Sequence, residues 1–151
     1  MYEVDFLSKL RQLNGRPAAE FVLHREPMLL LDRLIDIGPD FAVCEWKVCD
    51  KVALIVPGVG VPSYAGVEYM AQCVAVHAGA CASARGLPTP LGFLLGTRHY
   101  RAIIRYFEPG ITYRATCREL IRSDQGMASF ECSILLDDKI LAEGRLAVLQ
   151  K

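Results

Sequence analysis

The sequence of 151 residues predicts an α+β fold in which one long buried helix is wrapped by an antiparallel sheet. Three observations carry this reading. Residues 64–84 lack proline and are rich in Ala and Gly, with almost no charge, which is the pattern of a helix buried nearly all round. The chain after residue 90 divides into apolar, strand-like stretches separated by short turn signals, as in an antiparallel meander. No repeat, low-complexity tract or linker interrupts the chain, so a single domain over residues 1–151 is expected.

The elements follow in order. Val4 to Leu13 places apolar residues at helical spacing, and Asn14-Gly15-Arg16-Pro17 stops that helix. Met28 to Ile37 reads as a strand ended by Gly38-Pro39-Asp40, and Phe41 to Cys49 as a second strand with clear alternation. Lys51 to Pro62 is a loop. Ser63 is placed to cap the long helix, its side chain accepting a backbone N–H bond. Gly86 ends that helix, followed by Pro88 and Pro90. Strands are then expected over Leu91–Ile104, Ile111–Arg122, Met127–Leu136 and Ile140–Gln150.

Composition excludes several classes of function. Apolar residues are 52% and charged residues 23%, which is globular rather than disordered. The formal net charge is zero, whereas a nonspecific nucleic-acid binder needs excess positive charge to displace counterions. No apolar run spans a bilayer, and the first residues lack the basic stretch and apolar core of a signal peptide, so a cytoplasmic protein without membrane partners is expected. Six scattered cysteines form no C-x-x-C pair and read as buried apolar thiols. No ligand spacing suits a structural zinc, and neither metal nor cofactor is expected.

Specific motifs narrow the reading. His24-Arg25-Glu26-Pro27-Met28-Leu29-Leu30-Leu31-Asp32-Arg33, then Pro62, Glu68-Tyr69-Met70-Ala71-Gln72 and Glu108-Pro109-Gly110 occur in order along nearly the whole chain. They resemble the motifs of bacterial 3-hydroxyacyl-acyl-carrier-protein dehydratases. Gly66-Val67-Glu68-Tyr69, Ala71-Gln72 and Ala75-Val76-His77 resemble more closely still the dehydratase-like proteins of aryl-polyene clusters. The resemblance implies a hotdog fold and an acyl-thioester substrate carried by acyl carrier protein or coenzyme A. It also implies a homodimer, or a heterodimer with a related hotdog chain.

The family's chemistry uses a histidine to remove the proton beside the thioester carbonyl and a helix carboxyl to protonate the departing hydroxyl. Glu68 matches the carboxyl position. The histidine position corresponds to about Leu54, or to Val48-Cys49-Asp50 in the aryl-polyene pattern, and no histidine occurs from Arg25 to Val76. Three readings stay open: a dehydratase with Glu68 as acid, a noncatalytic acyl-binding or partner subunit, and a thioesterase in which Glu68 activates water.

The remaining candidates each carry two meanings. Glu68 is a catalytic acid or a favourable charge at a helix start. Gln72, one turn on, orients Glu68 or a water, or anchors sheet backbone. His24 is a substitute base or a structural residue, as is His99, whose other reading is a strand-surface residue. His77 falls on the opposite helical face and suits the core or an interface. Backbone N–H groups of Ser63 and Tyr64 can hold the thioester oxygen or merely begin the helix. Arg98, Arg101 and Arg105 are a phosphate or acidic-partner contact, or a solvated strand face.

Overall fold

A computed structural model describes residues 2–151 of the chain. An N-terminal helix α1 (Tyr2–Arg11) buries Leu10, and Leu13 just beyond its end is buried too. The Arg85 guanidinium lies 4.0 Å from the centre of the Phe6 ring, tying α1 to the chain that follows the long helix. Strands β1 (Arg33–Ile37) and β2 (Phe41–Lys47) form a hairpin. In β2, Ala42, Cys44 and Trp46 point inward while Phe41, Val43 and Glu45 point outward, the two-residue period of a half-buried strand. The predicted strand from Met28 is shortened: it starts only at Arg33, although the Asp32 N–H already donates to Glu45 O of β2.

The short strand β3 (Val61–Pro62) leads through a 3-10 turn, Ser63–Ala65, into α2 (Gly66–Ala84). The helix is largely buried, as expected, but its start differs. The Ser63 side chain makes no capping bond, and Pro62 precedes a tight turn instead. Ser63 N–H donates to Arg105 O at 2.8 Å, because β3 pairs with the short strand β5 (Tyr106–Phe107).

Strand β4 (Gly92–Ala102) precedes β5, and β6 (Thr112–Arg122), β7 (Met127–Leu136) and β8 (Lys139–Gln150) follow. The main sheet is antiparallel with the order β1-β2-β6-β7-β8-β4. The expected meander therefore holds for β6 to β8, while β4 crosses over to lie beside β8 at the sheet edge. A long helix against a six-stranded antiparallel sheet is the hotdog arrangement. Where α2 starts, Tyr69 stacks on Trp46 with ring centres 4.0 Å apart, and Phe107 and Tyr113 pack around them. This aromatic cluster fixes the helix beneath the sheet and so fixes the position of Glu68.

Candidate active site

The first turn of α2 carries Glu68, whose side chain is 35% exposed and so keeps access to solvent and ligand. One turn later Gln72 is fully buried. Its Nε2 donates to Met28 O at 2.7 Å and to Glu68 Oε1 at 3.0 Å, and its Oε1 accepts the Leu30 N–H at 2.8 Å. An amide side chain can make such bonds in both senses at once. Residues 28–30 thus satisfy their backbone groups on a helix side chain and on Arg25 O, which takes the Met28 and Leu29 N–H groups, and the predicted strand starts only at Arg33.

The segment ahead of this anchor brings in His24. Arg25 Nη1 donates to Val22 O at 2.9 Å and His24 O at 2.7 Å, curling the chain. His24 Nε2 then lies 3.9 Å from Glu68 Oε1, too far for a hydrogen bond but across a gap that one reacting group can bridge. His24 Nδ1 is buried without a partner. Both side chains line one cleft of about 220 Å³, walled mostly by apolar groups such as Val22, Ala71, Val74 and Leu94, with Thr89 and Gln150 also in its lining. An imidazole and a carboxyl converging in an apolar cleft form an acid–base pair in the geometric sense.

The close approach depends on Gly79, deep in α2. A Cβ there would lie 1.8 Å from the Phe21 carbonyl oxygen, so the helix admits the 21–24 segment only because residue 79 has no side chain. The small residues of α2 therefore seat a loop as well as the sheet. A glycine inside a helix, where alanine is favoured, was the available sequence signal for such a contact.

The other sequence candidates lie elsewhere. The Ser63 N–H is engaged by Arg105 O, so it cannot serve as a donor to a thioester oxygen in this arrangement. The Ser63 carbonyl accepts the Tyr100 hydroxyl instead. Tyr64 is exposed, and neither Ser63 nor Tyr64 lines the cleft. Arg98, Arg101 and Arg105 are exposed, with Arg98 opposite Arg145 and Arg101 opposite Glu143 on the strand ladder, and none lines the cleft. His99 is exposed at an irregularity of β4, with φ 57°. His77 is buried on the far side of α2, its Nε2 3.2 Å from Gly38 O and 3.1 Å from Pro39 O. Burial holds its pKa below the ordinary histidine value, partly offset by those two carbonyls. Among the described residues no His, Cys, Asp and Glu group is arranged to hold a metal, and no helix is long and apolar enough to cross a membrane.

Comparison with known proteins agrees with the hotdog fold. The model of the ApeP-like family, described as ApeP dehydratase, matches residues 16–151. The dehydratase heterocomplex ApeI:P from Xenorhabdus doucetiae contains a chain 26% identical, with a TM-score of 0.83, over 89% of this chain and 91% of that one. Cj0977, a sigma28-regulated virulence protein from Campylobacter jejuni, shares the fold at 11% identity and a TM-score of 0.63, over 97% and 91% of the two chains. A mutant of the thioesterase PA1618 from Pseudomonas aeruginosa does so at 11% and 0.56, over 78% and 79%. A search of curated proteins found no match.

Proposed function

The chain belongs to the ApeP-like dehydratase family, and from that premise we propose that it dehydrates 3-hydroxyacyl thioesters at the His24–Glu68 cleft, acting as one hotdog domain over residues 1–151. The observation that carries the reading is the 3.9 Å approach of His24 Nε2 to Glu68 Oε1 in a shared apolar cleft. His24 Nε2 takes the proton from the carbon beside the thioester carbonyl. The electron pair left there forms the carbon–carbon double bond as the carbon–oxygen bond breaks. The protonated Glu68 carboxyl gives its proton to the departing hydroxyl, which leaves as water. A water in the gap then relays the proton from His24 back to Glu68 and resets the pair.

Gln72 positions this pair. It holds Glu68 through Nε2 and, through Met28 and Leu30, the segment that carries His24. The thioester is carried by acyl carrier protein or coenzyme A, and the exposed Arg98 and Arg101 offer a surface for the carrier's phosphate or acidic groups. Ser63 and Tyr64 lie at the helix entrance, outside the cleft, and contribute to binding only if that turn rearranges.

Strand β4 supports assembly with a second hotdog chain. It is the sheet edge, and Leu91, Phe93, Leu94 and Leu95 beside the cleft are all exposed. An exposed apolar edge strand invites pairing. The Xenorhabdus structure is a heterocomplex, and a heterodimer with a related chain, or a homodimer, would cover this edge. All six cysteines are free, which suits the reducing cytoplasm.

A second reading has its own support. No histidine lies in the loop where the resembling enzymes carry theirs, which favours a subunit that binds the acyl group while a partner completes the site. Assays of enoyl absorbance and thiol release on 3-hydroxyacyl thioesters separate the readings. Enoyl product that falls about 10²–10⁴-fold in Glu68→Gln is expected, because an amide cannot donate the acid proton. Thiol release without enoyl product would indicate a thioesterase. Absence of both would leave the binding-subunit reading.

A further inference from the structure

The cleft continues beyond its reactive pair. Its floor on α2 is formed by Ala71, Ala75 and Ala78, which share one helical face with Glu68. The ten residues from Glu68 to Ala78 span about 15 Å of helix axis. One wall is the segment from Phe21 to His24, which runs in the reverse direction, because the Phe21 carbonyl lies over Gly79 while the His24 side chain lies beside Glu68. The opposite wall is the start of β4, and Pro90, in the segment that follows the helix, belongs to the same lining. The result is a mostly apolar track, with Thr89 and Gln150 the polar groups in its lining besides His24 and Glu68, and with a floor of methyl groups on α2.

We infer that Ala75 and Ala78 set the length of the acyl tail that the cleft accepts, and that the tail is an unbranched chain laid along α2 from Glu68 toward Ala78. The inference rests on the reading of the cleft as the acyl site and adds the residues that measure the substrate. A larger side chain at Ala78 shortens the track at its far end. At Ala75 it shortens the track further, by about 4–5 Å, since three residues separate the two positions. Each methylene that the track takes from water raises affinity about fourfold.

The test uses saturated straight-chain acyl-coenzyme A thioesters from butanoyl to tetradecanoyl, which lack the 3-hydroxyl and cannot be dehydrated. Titration calorimetry on the full chain, in its native assembly state, gives affinity against chain length. Wild type should rise about fourfold per methylene and then level off. Ala78→Leu should level off at a shorter chain, Ala75→Leu at a shorter one still, and the shortest thioesters should bind all three equally. Should thermal melts show either leucine variant unfolded, valine at the same positions should give smaller shifts in the same order. Plateaus at one common length, plateaus in the reverse order, or affinity independent of length in wild type would overturn the inference. Ordered plateaus without any enoyl formation would sustain the track and remove the reaction. Enoyl formation with unmoved plateaus would do the reverse.

Discussion

Gly79→Ala tests how the helix seats the reactive loop. Helix propensity alone makes this substitution stabilising by about 1 kcal/mol. The contact says otherwise. The added Cβ would lie 1.8 Å from the Phe21 carbonyl oxygen and 2.7 Å from its carbon. These are backbone atoms that cannot rotate away, so the segment must retreat by about 1.5 Å to reach van der Waals separation. Overpacking of that kind costs about 1–3 kcal/mol, which outweighs the propensity gain. A net loss near 1 kcal/mol lowers the melting temperature by roughly 2–4 °C in a chain of this size. Turnover should fall much further. His24 lies three residues beyond Phe21, and displacing a reacting group by about 1 Å costs on the order of 10²-fold. Thermal melts and enoyl formation on the same preparation measure both effects. A variant that melts at or above the wild-type temperature with undiminished turnover would refute the reasoning.

Two further outcomes follow from buried polar groups. Gln72→Met should destabilise by roughly 1–3 kcal/mol through the buried Leu30 N–H alone, which loses its acceptor; urea unfolding measures this, and an unchanged midpoint would remove Gln72 from its anchoring role. His77 is neutral and buried, between the Gly38 and Pro39 carbonyls and within the influence of Glu119 and Arg122, with its folded pKa below the ordinary 6.5. The unfolded chain therefore binds the proton first, so the His77 contribution to stability is intact above about pH 6.5 and declines as pH falls below it. The decline from this one group is at most about 1.4 kcal/mol per pH unit, and His77→Gln should remove it; identical pH dependence in the variant would contradict the assignment.

Much of the fold was legible in the chain because it is written in local pattern. The alternation of Met127–Leu136 coincides with β7, and the predicted ranges of β6 and β8 differ from the observed ones by a single residue at one end. The long helix was legible from its small uncharged residues, although its first turn is 3-10 and the Ser63 side chain does not cap it. What was not legible is what tertiary contact decides. Met28–Asp32 has the apolar run of a strand, but a buried glutamine 42 residues beyond Leu30 takes the Leu30 N–H and the Met28 carbonyl, and a turn onto Arg25 O takes the Met28 and Leu29 N–H groups. Nothing in the local pattern of β4 says that it will leave the chain order and pair with β8. Glu68 stood out as a carboxyl in an almost uncharged helix. Its approach to His24 is a property of the folded loop, made possible by Gly79 and Gln72 together.

The proposed dehydration requires that His24 and Glu68 act as one unit within this chain. Turnover of a 3-hydroxyacyl thioester by wild type, His24→Gln, Glu68→Gln and the double variant tests this most directly. Groups that act together in one step lose activity non-additively. Each single variant should lose about 10²–10⁴-fold, and the double variant should be little worse than either. Full activity in His24→Gln beside a collapse in Glu68→Gln would contradict this, because the proton beside the carbonyl would then be taken by a group other than the imidazole facing Glu68.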